Sequence, residues 1–134
     1  MTDWKGVFPA VTTRFNADLE LDTDAMKRHV AWQTDAGVDG IITTGSLGEA
    51  GTLSISEKVE VAKCAVEASG GRVPILATVA ESATSDGVAF IREAQRHGIS
   101  GFMTLPGIPY VSDRRETLAH FRTLAEASEL PMMI

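Results

Sequence analysis

An α/β fold of repeating strand–helix units around a parallel sheet is the class this sequence predicts, on three observations. Short apolar runs rich in β-branched residues alternate with longer stretches whose apolar residues recur every three or four positions. Glycines punctuate the ends of the helical stretches, and the units recur about every 30–35 residues, the spacing of a barrel repeat.

The runs Val7–Thr12, Gly40–Thr44, Val73–Val79, Gly101–Leu105 and Pro131–Ile134 are too short for helices and mostly apolar on both faces, as parallel strands covered by helices must be. Between them Asp24–Ala36, Ser56–Ser69, Ser82–His97 and Arg114–Ala127 read as helices. Thr23 or Asp24 can cap the first. Ser54 or Ser56 can cap the second, with Glu57 in its opening turn, because a side-chain oxygen there satisfies an orphaned backbone N–H. Gly37, Gly70-Gly71 and Gly98 follow three of these stretches, where a left-handed residue closes a helix. Val88, Ile91 and Ala94 form one apolar line and Leu118, Phe121 and Leu124 another, both expected to face the core.

No linker, charge block or low-complexity stretch divides the chain, so residues 1–134 form one unit. A β(αβ)4 series ends either in an open doubly wound sheet or in a section of a closed barrel, and periodicity leaves both open. The unit length, with a strand at the chain end, looks like the N-terminal half of a single (β/α)8 TIM barrel domain: about four βα units plus the start of strand five. Since a closed barrel takes about 250 residues, a longer parent is expected. A lone half barrel exposes two sheet edges and an apolar inner face, an association hazard.

Apolar residues make up 44% and charged residues 22% of the 134, the balance of a chain that folds around a core rather than of a disordered one. The net charge of −6, with no stripe of Lys and Arg, argues against nucleic acid as a partner. Cys64 is the one cysteine, so an intrachain disulfide is excluded and a reducing cytoplasm fits best. The N-terminus lacks a signal-peptide pattern and no apolar run approaches the ~18 residues of a membrane span, so a soluble, unprocessed protein is expected.

The most informative stretch is Gly40-Ile41-Ile42-Thr43-Thr44-Gly45-Ser46-Leu47-Gly48-Glu49-Ala50. Its glycines allow a tight loop at the C-terminal end of the second predicted strand, where backbone N–H groups and a hydroxyl can point at an anion such as a small carboxylate. His29, His97 and His120 lie in or at the ends of predicted helices with no partner at metal spacing, so they read as surface residues and no metal is expected. Cys64, on the apolar side of its helix, reads as a buried inert thiol. Met103, Met132 and Met133 read as core filler. Neither a GxGxxG nor a P-loop is present, so no nucleotide cofactor is expected.

The Gly40–Ala50 stretch resembles a signature of the dihydrodipicolinate synthase and N-acetylneuraminate lyase family, in which strand, Gly, Ser or Thr, Thr, Gly and Glu follow in this order. Leu47 stands where that family usually has a second hydroxyl residue. The likeness extends over the chain. Pro9–Phe15 looks like the opening strand and turn, with Arg14 in place of the usual proline. Val73–Ala80 resembles the third strand, with Glu81 where an Asn is common. Gly98–Pro106 resembles the fourth strand and Leu130–Ile134 the start of the fifth.

The resemblance implies a cofactor- and metal-independent lyase or aldolase that forms a Schiff base with pyruvate or a related 2-oxo acid. By the family's pattern the resemblance places the lysine nucleophile on the sixth strand, ~25 to 30 residues beyond Ile134. Lys5, Lys27, Lys58 and Lys63 fall near the N-terminus or on predicted outer helices, and none is assigned that role. The resemblance assigns Ser46 and Tyr110 to a proton relay with a strand-five tyrosine, and Ser46 and Leu47 to the substrate carboxylate. It also implies a homo-oligomer, a dimer of dimers, with Tyr110 lent across an interface. Glu49 reads as a buried carboxylate taking loop N–H bonds, and Thr13 as a turn hydroxyl that might equally face the site. A reading of a different class is a non-catalytic half barrel that binds a partner half or a small carboxylate.

Overall fold

In the computed structural model, which describes residues 4–107 and 111–134, strands β1 (Ile41–Thr43), β2 (Ile75–Val79), β3 (Gly101–Thr104) and β4 (Met132–Met133) form one sheet in sequential order. Every neighbouring pair is parallel, with Ile42 opposite Leu76, Leu76 opposite Gly101 and Phe102 opposite Met132. Helices α1 (Thr23–Asp35), α2 (Ile55–Ser69), α3 (Thr84–Ala94) and α4 (Arg114–Ala125) alternate with them. Strand order that never reverses belongs to a barrel section, because a doubly wound sheet turns back at a switch point. The chain is thus a half barrel.

The expected strand Val7–Thr12 is reduced to a single parallel bridge, Ala10 opposite Ile42. The segment still runs beside β1, with Val11 N–H bonded to Ile42 O (2.9 Å) and Ile42 N–H to Pro9 O (3.0 Å). It lies at the sheet's outer edge, and Pro9 has no N–H to extend the ladder.

Helix ends follow the chemistry of their caps. Asp22, rather than Thr23 or Asp24, caps α1 by accepting from Ala25 N–H at 2.8 Å. Ser54 caps α2 in a reciprocal box with Glu57. The third helix starts at Thr84 instead of Ser82, and its last turn tightens into a 3-10 turn, Gln95–His97. Gly37, Gly70 and Gly98 have φ of 87°, 58° and 82°, the left-handed geometry expected of them.

The core lies between sheet and helices: Ile41, Ile75, Ala77, Val79 and Phe102 meet Val30, Ala62, Ala65, Phe90 and Ile91. Phe90 and Phe102 pack edge to face at 6.5 Å. Alternation places Ile42, Leu76 and Thr78 on the opposite, inner face. At the N-terminal end of the sheet a side chain on Gly40 would collide with the Phe8 ring and one on Gly101 with the Trp4 ring, so these two aromatics close that end. The α3 line is buried at Ile91 and Ala94. On α4 only Leu124 is buried, and Leu118 is 45% exposed, since α4 is the last helix and only α3 flanks it among the described residues.

Candidate active site

The C-terminal ends of β1 and β2 carry the turn that the sequence singled out. Thr44 leaves the sheet in the left-handed region, φ 55°, an uncommon conformation for a β-branched residue. Its buried hydroxyl accepts from Thr78 N–H (3.2 Å) and lies 3.3 Å from Thr78 O, to which it donates. Gly48 returns close to the turn's start: a Cβ there would lie 3.0 Å from Val11 O and 3.2 Å from Thr44 N, so only glycine fits. Thr13, buried, donates its hydroxyl to Gly48 O at 2.7 Å and ties the edge segment to the turn.

Between these anchors Ser46 and Leu47 face solvent, Leu47 at 64% exposure. The N–H groups of Ser46 and Leu47 and the Ser46 hydroxyl have no hydrogen-bond partner among the described residues. Two successive free N–H groups beside a hydroxyl form a cradle for a small anion. The turn closes through Ala50 N–H to Gly45 O and Glu49 N–H to Ser46 O, both 3.2 Å. Glu49, expected to be buried, is exposed with φ 59°, because its backbone rather than its carboxylate serves the turn. Tyr110 lies outside the described residues.

Lys58 lies on α2, an outer helix as expected, and is buried there. Its ammonium meets Glu81 at 2.6 Å, with the two side chains only 5% and 6% exposed. The second Glu81 oxygen and the Thr78 hydroxyl are buried without a partner. Sequence reasoning missed this pair, and a signal existed only in the periodicity, where Lys58 falls beside the buried Val59, Val61 and Ala62. Lys27 and Lys63 pair on exposed surfaces with Glu67 and Glu60.

The histidines are less exposed than expected. His120 bridges elements, with Thr84 Oγ1 at 2.8 Å from Nδ1 and Leu105 O at 3.1 Å from Nε2. A carbonyl only accepts, so Nε2 carries the proton and Nδ1 accepts from Thr84. His29 is half-buried between Arg14 and Gln33, and burial, then the Arg14 charge, lower its pKa. Burial raises the pKa of Cys64, as for an inert thiol. A cleft of about 310 Å³ beside the mouth is lined by Ser82, Thr84, Ser112, Glu116 and His120. Neither Ser46 nor Leu47 lines it.

Among the described residues no group of three His, Cys, Asp or Glu side chains could hold a metal ion, and no helix is long and apolar enough to cross a membrane.

A sequence profile of the dihydrodipicolinate synthetase family matches residues 3–134. The chain is 37% identical over 133 residues to an uncharacterized DapA-like lyase of Rhizobium meliloti, covering 99% of this chain and 44% of that one. It is 36% identical over 133 residues to a 4-hydroxy-tetrahydrodipicolinate synthase of Ruegeria pomeroyi, covering 98% of this chain and 45% of the relative. Among solved structures, the N-acetylneuraminate lyase of Mycoplasma synoviae superposes with a TM-score of 0.90 at 30% identity, over 96% of this chain and 45% of that one. The prophage protein YagE of E. coli K12, solved in complex with pyruvate, superposes with a TM-score of 0.93 at 26% identity, over 98% and 44% of the two chains. The chain therefore spans less than half the length of the relatives it matches.

Proposed function

We propose, from the premise that this chain belongs to the dihydrodipicolinate synthetase family, that it supplies the carboxylate-binding turn of a Schiff-base-forming lyase or aldolase acting on pyruvate or a related 2-oxo acid. The observation that carries this reading is the pair of unpartnered N–H groups at Ser46 and Leu47, set beside the Ser46 hydroxyl at the C-terminal end of β1. Barrel enzymes work at that end. Ser46 binds the carboxylate and passes a proton to Tyr110. Leu47 gives its N–H but sets an apolar side chain where the family usually has a hydroxyl, which alters what the site accepts beside the carboxylate.

The nucleophile is a lysine outside these 134 residues, in the part of the barrel that the relatives have and this chain does not span. Lys58 is held by Glu81, and Lys27 and Lys63 sit on outer helices. The amine adds to the keto carbon and water leaves; the resulting iminium accepts the electron pair released when the adjacent carbon loses its bond partner. The enzyme works in the cytoplasm as a dimer of dimers.

The open sheet edges favour one other reading, a non-catalytic half barrel that pairs with a second half. Four strands and the Ala10 bridge occupy five strand positions among the described residues. Two copies would bring ten to a barrel that closes with eight. The count favours a complement of three strands from a longer chain.

Borohydride treatment with pyruvate, read by intact mass, tests the proposal on residues 1–134 and on the reading frame continued to its stop codon. A pyruvyl adduct on the longer protein alone is expected. No adduct on either protein removes pyruvate as the substrate, and no adduct with a panel of other 2-oxo acids removes the Schiff-base reading.

A further inference from the structure

We infer that Thr44 is a positioning residue for the carboxylate turn: its hydroxyl meets the Thr78 carbonyl where the next strand residue's N–H would have done so, and that frees the backbone of Gly45–Leu47 to cross the barrel mouth. The inference rests on the proposed carboxylate site and adds a residue with no assigned role.

The register shows the substitution. The last β1–β2 pair is Thr43 with Ala77, so a further residue of strand would set the Thr44 main chain against Thr78. Instead the chain turns away at Thr44, with φ 55°. In a strand the N–H and C=O of one residue point to the same neighbour, and those of Thr78 point toward β1. The Thr78 N–H is already in the ladder, facing Thr43 C=O across the Thr43–Ala77 pair, and Thr44 Oγ1 lies 3.2 Å from it as a second acceptor. The Thr78 carbonyl, which the next strand residue's N–H would have met, takes the Thr44 hydroxyl instead, at 3.3 Å. A valine of the same shape would leave that buried carbonyl unpaired.

The consequence reaches the site. A strand that ran one residue further would carry Gly45 and Ser46 along the sheet, away from the position where Gly48 meets Val11 O and Thr44 N. With the last open carbonyl of β2 met by a side chain, the turn is pinned at its start by Thr44 and at its return by the Thr13 bond to Gly48 O. The Thr78 hydroxyl lies beneath Gly45, 3.4 Å from where a Cβ would sit, and pairs with nothing there. It therefore leaves the holding of the turn to Thr44.

The test compares Thr44→Val, which keeps the branched shape, with Thr44→Ser, which keeps the hydroxyl, in the reading frame continued to its stop codon. Two quantities are read: amide exchange at Glu49 and Ala50, whose N–H groups close the turn, and the rate of borohydride trapping against pyruvate concentration. In Thr44→Val, exchange at both amides accelerates, half-saturating pyruvate rises about tenfold, and the plateau rate stays within about twofold, since Thr44 touches no substrate. Thr44→Ser follows the parent protein in both.

Half-saturation unchanged in Thr44→Val, a loss confined to the plateau rate, or Thr44→Ser as impaired as Thr44→Val overturns the inference. A parent protein that traps neither pyruvate nor any other 2-oxo acid overturns the lyase reading instead. Exchange then still decides on Thr44: acceleration in Thr44→Val alone supports it as the post of the turn, and no acceleration removes it.

Discussion

Lys58 and Glu81 form a buried ion pair between α2 and the loop after β2, and removing either leaves the other's polar head without its partner away from water. Lys58→Met leaves the Glu81 carboxylate buried alone and should lower stability by about 3–5 kcal/mol in urea titrations. Lys58→Met combined with Glu81→Leu should recover most of that loss, because an apolar pair needs no desolvation. A double variant no more stable than the single one would mean that the pair holds the loop through geometry alone. At the turn, Ser46→Ala should slow turnover of the 2-oxo acid about 100-fold if the hydroxyl moves a proton. Leu47→Thr should lower half-saturating pyruvate by restoring a hydroxyl. An unchanged value in Leu47→Thr would place the carboxylate elsewhere.

The N-terminus of α2 is the element that follows the turn, and its capping box joins Ser54 and Glu57 in both directions. Hydrogen bonds from the Ser54 side chain and then its backbone hold the Glu57 carboxyl below its usual pKa. A carboxyl lowered in the folded state adds stability above its unfolded pKa, and that stability is lost as pH falls through the folded value. Ser54→Ala should destabilise the fold by about 1 kcal/mol at neutral pH. The difference from the parent should shrink on the acid side, and a difference that stays constant with pH would assign the cap to Ser54 alone. His29 on α1 has the same sign by another route: burial disfavours its charged form, so acidification through the histidine range weakens α1 packing.

At the scale of the whole molecule, the open sheet governs behaviour. The half barrel ends in β4 on one side and in the Ala10 bridge on the other, and it exposes Trp32 on α1, Leu118 on α4 and Ile134. Residues 1–134 alone should associate in a concentration-dependent way by sedimentation, and the longer reading frame should not do so through these edges. A clean monomer of the short chain at high concentration would show that its edges are blunted without a complement.

The sequence by itself determined the repeating βα order, the four helices to within three residues at each end and the left-handed glycines, because local periodicity and capping chemistry specify these, and its motifs pointed to the family. It also marked the Gly45–Gly48 turn at a strand's C-terminal end, while the exposure of Ser46 and Leu47 is seen only in the structure. Burial of Lys58 against Glu81, 23 residues apart, depends on how α2 lies over the end of β2, and no local pattern encodes that packing. The same holds for Thr44 and the Thr78 carbonyl, 34 residues away: only the strand register brings that hydroxyl to it. Periodicity alone left an open sheet and a barrel section equal, since both are built from the same units; unit length and the family likeness pointed to the barrel, and the unreversed strand order bears that out.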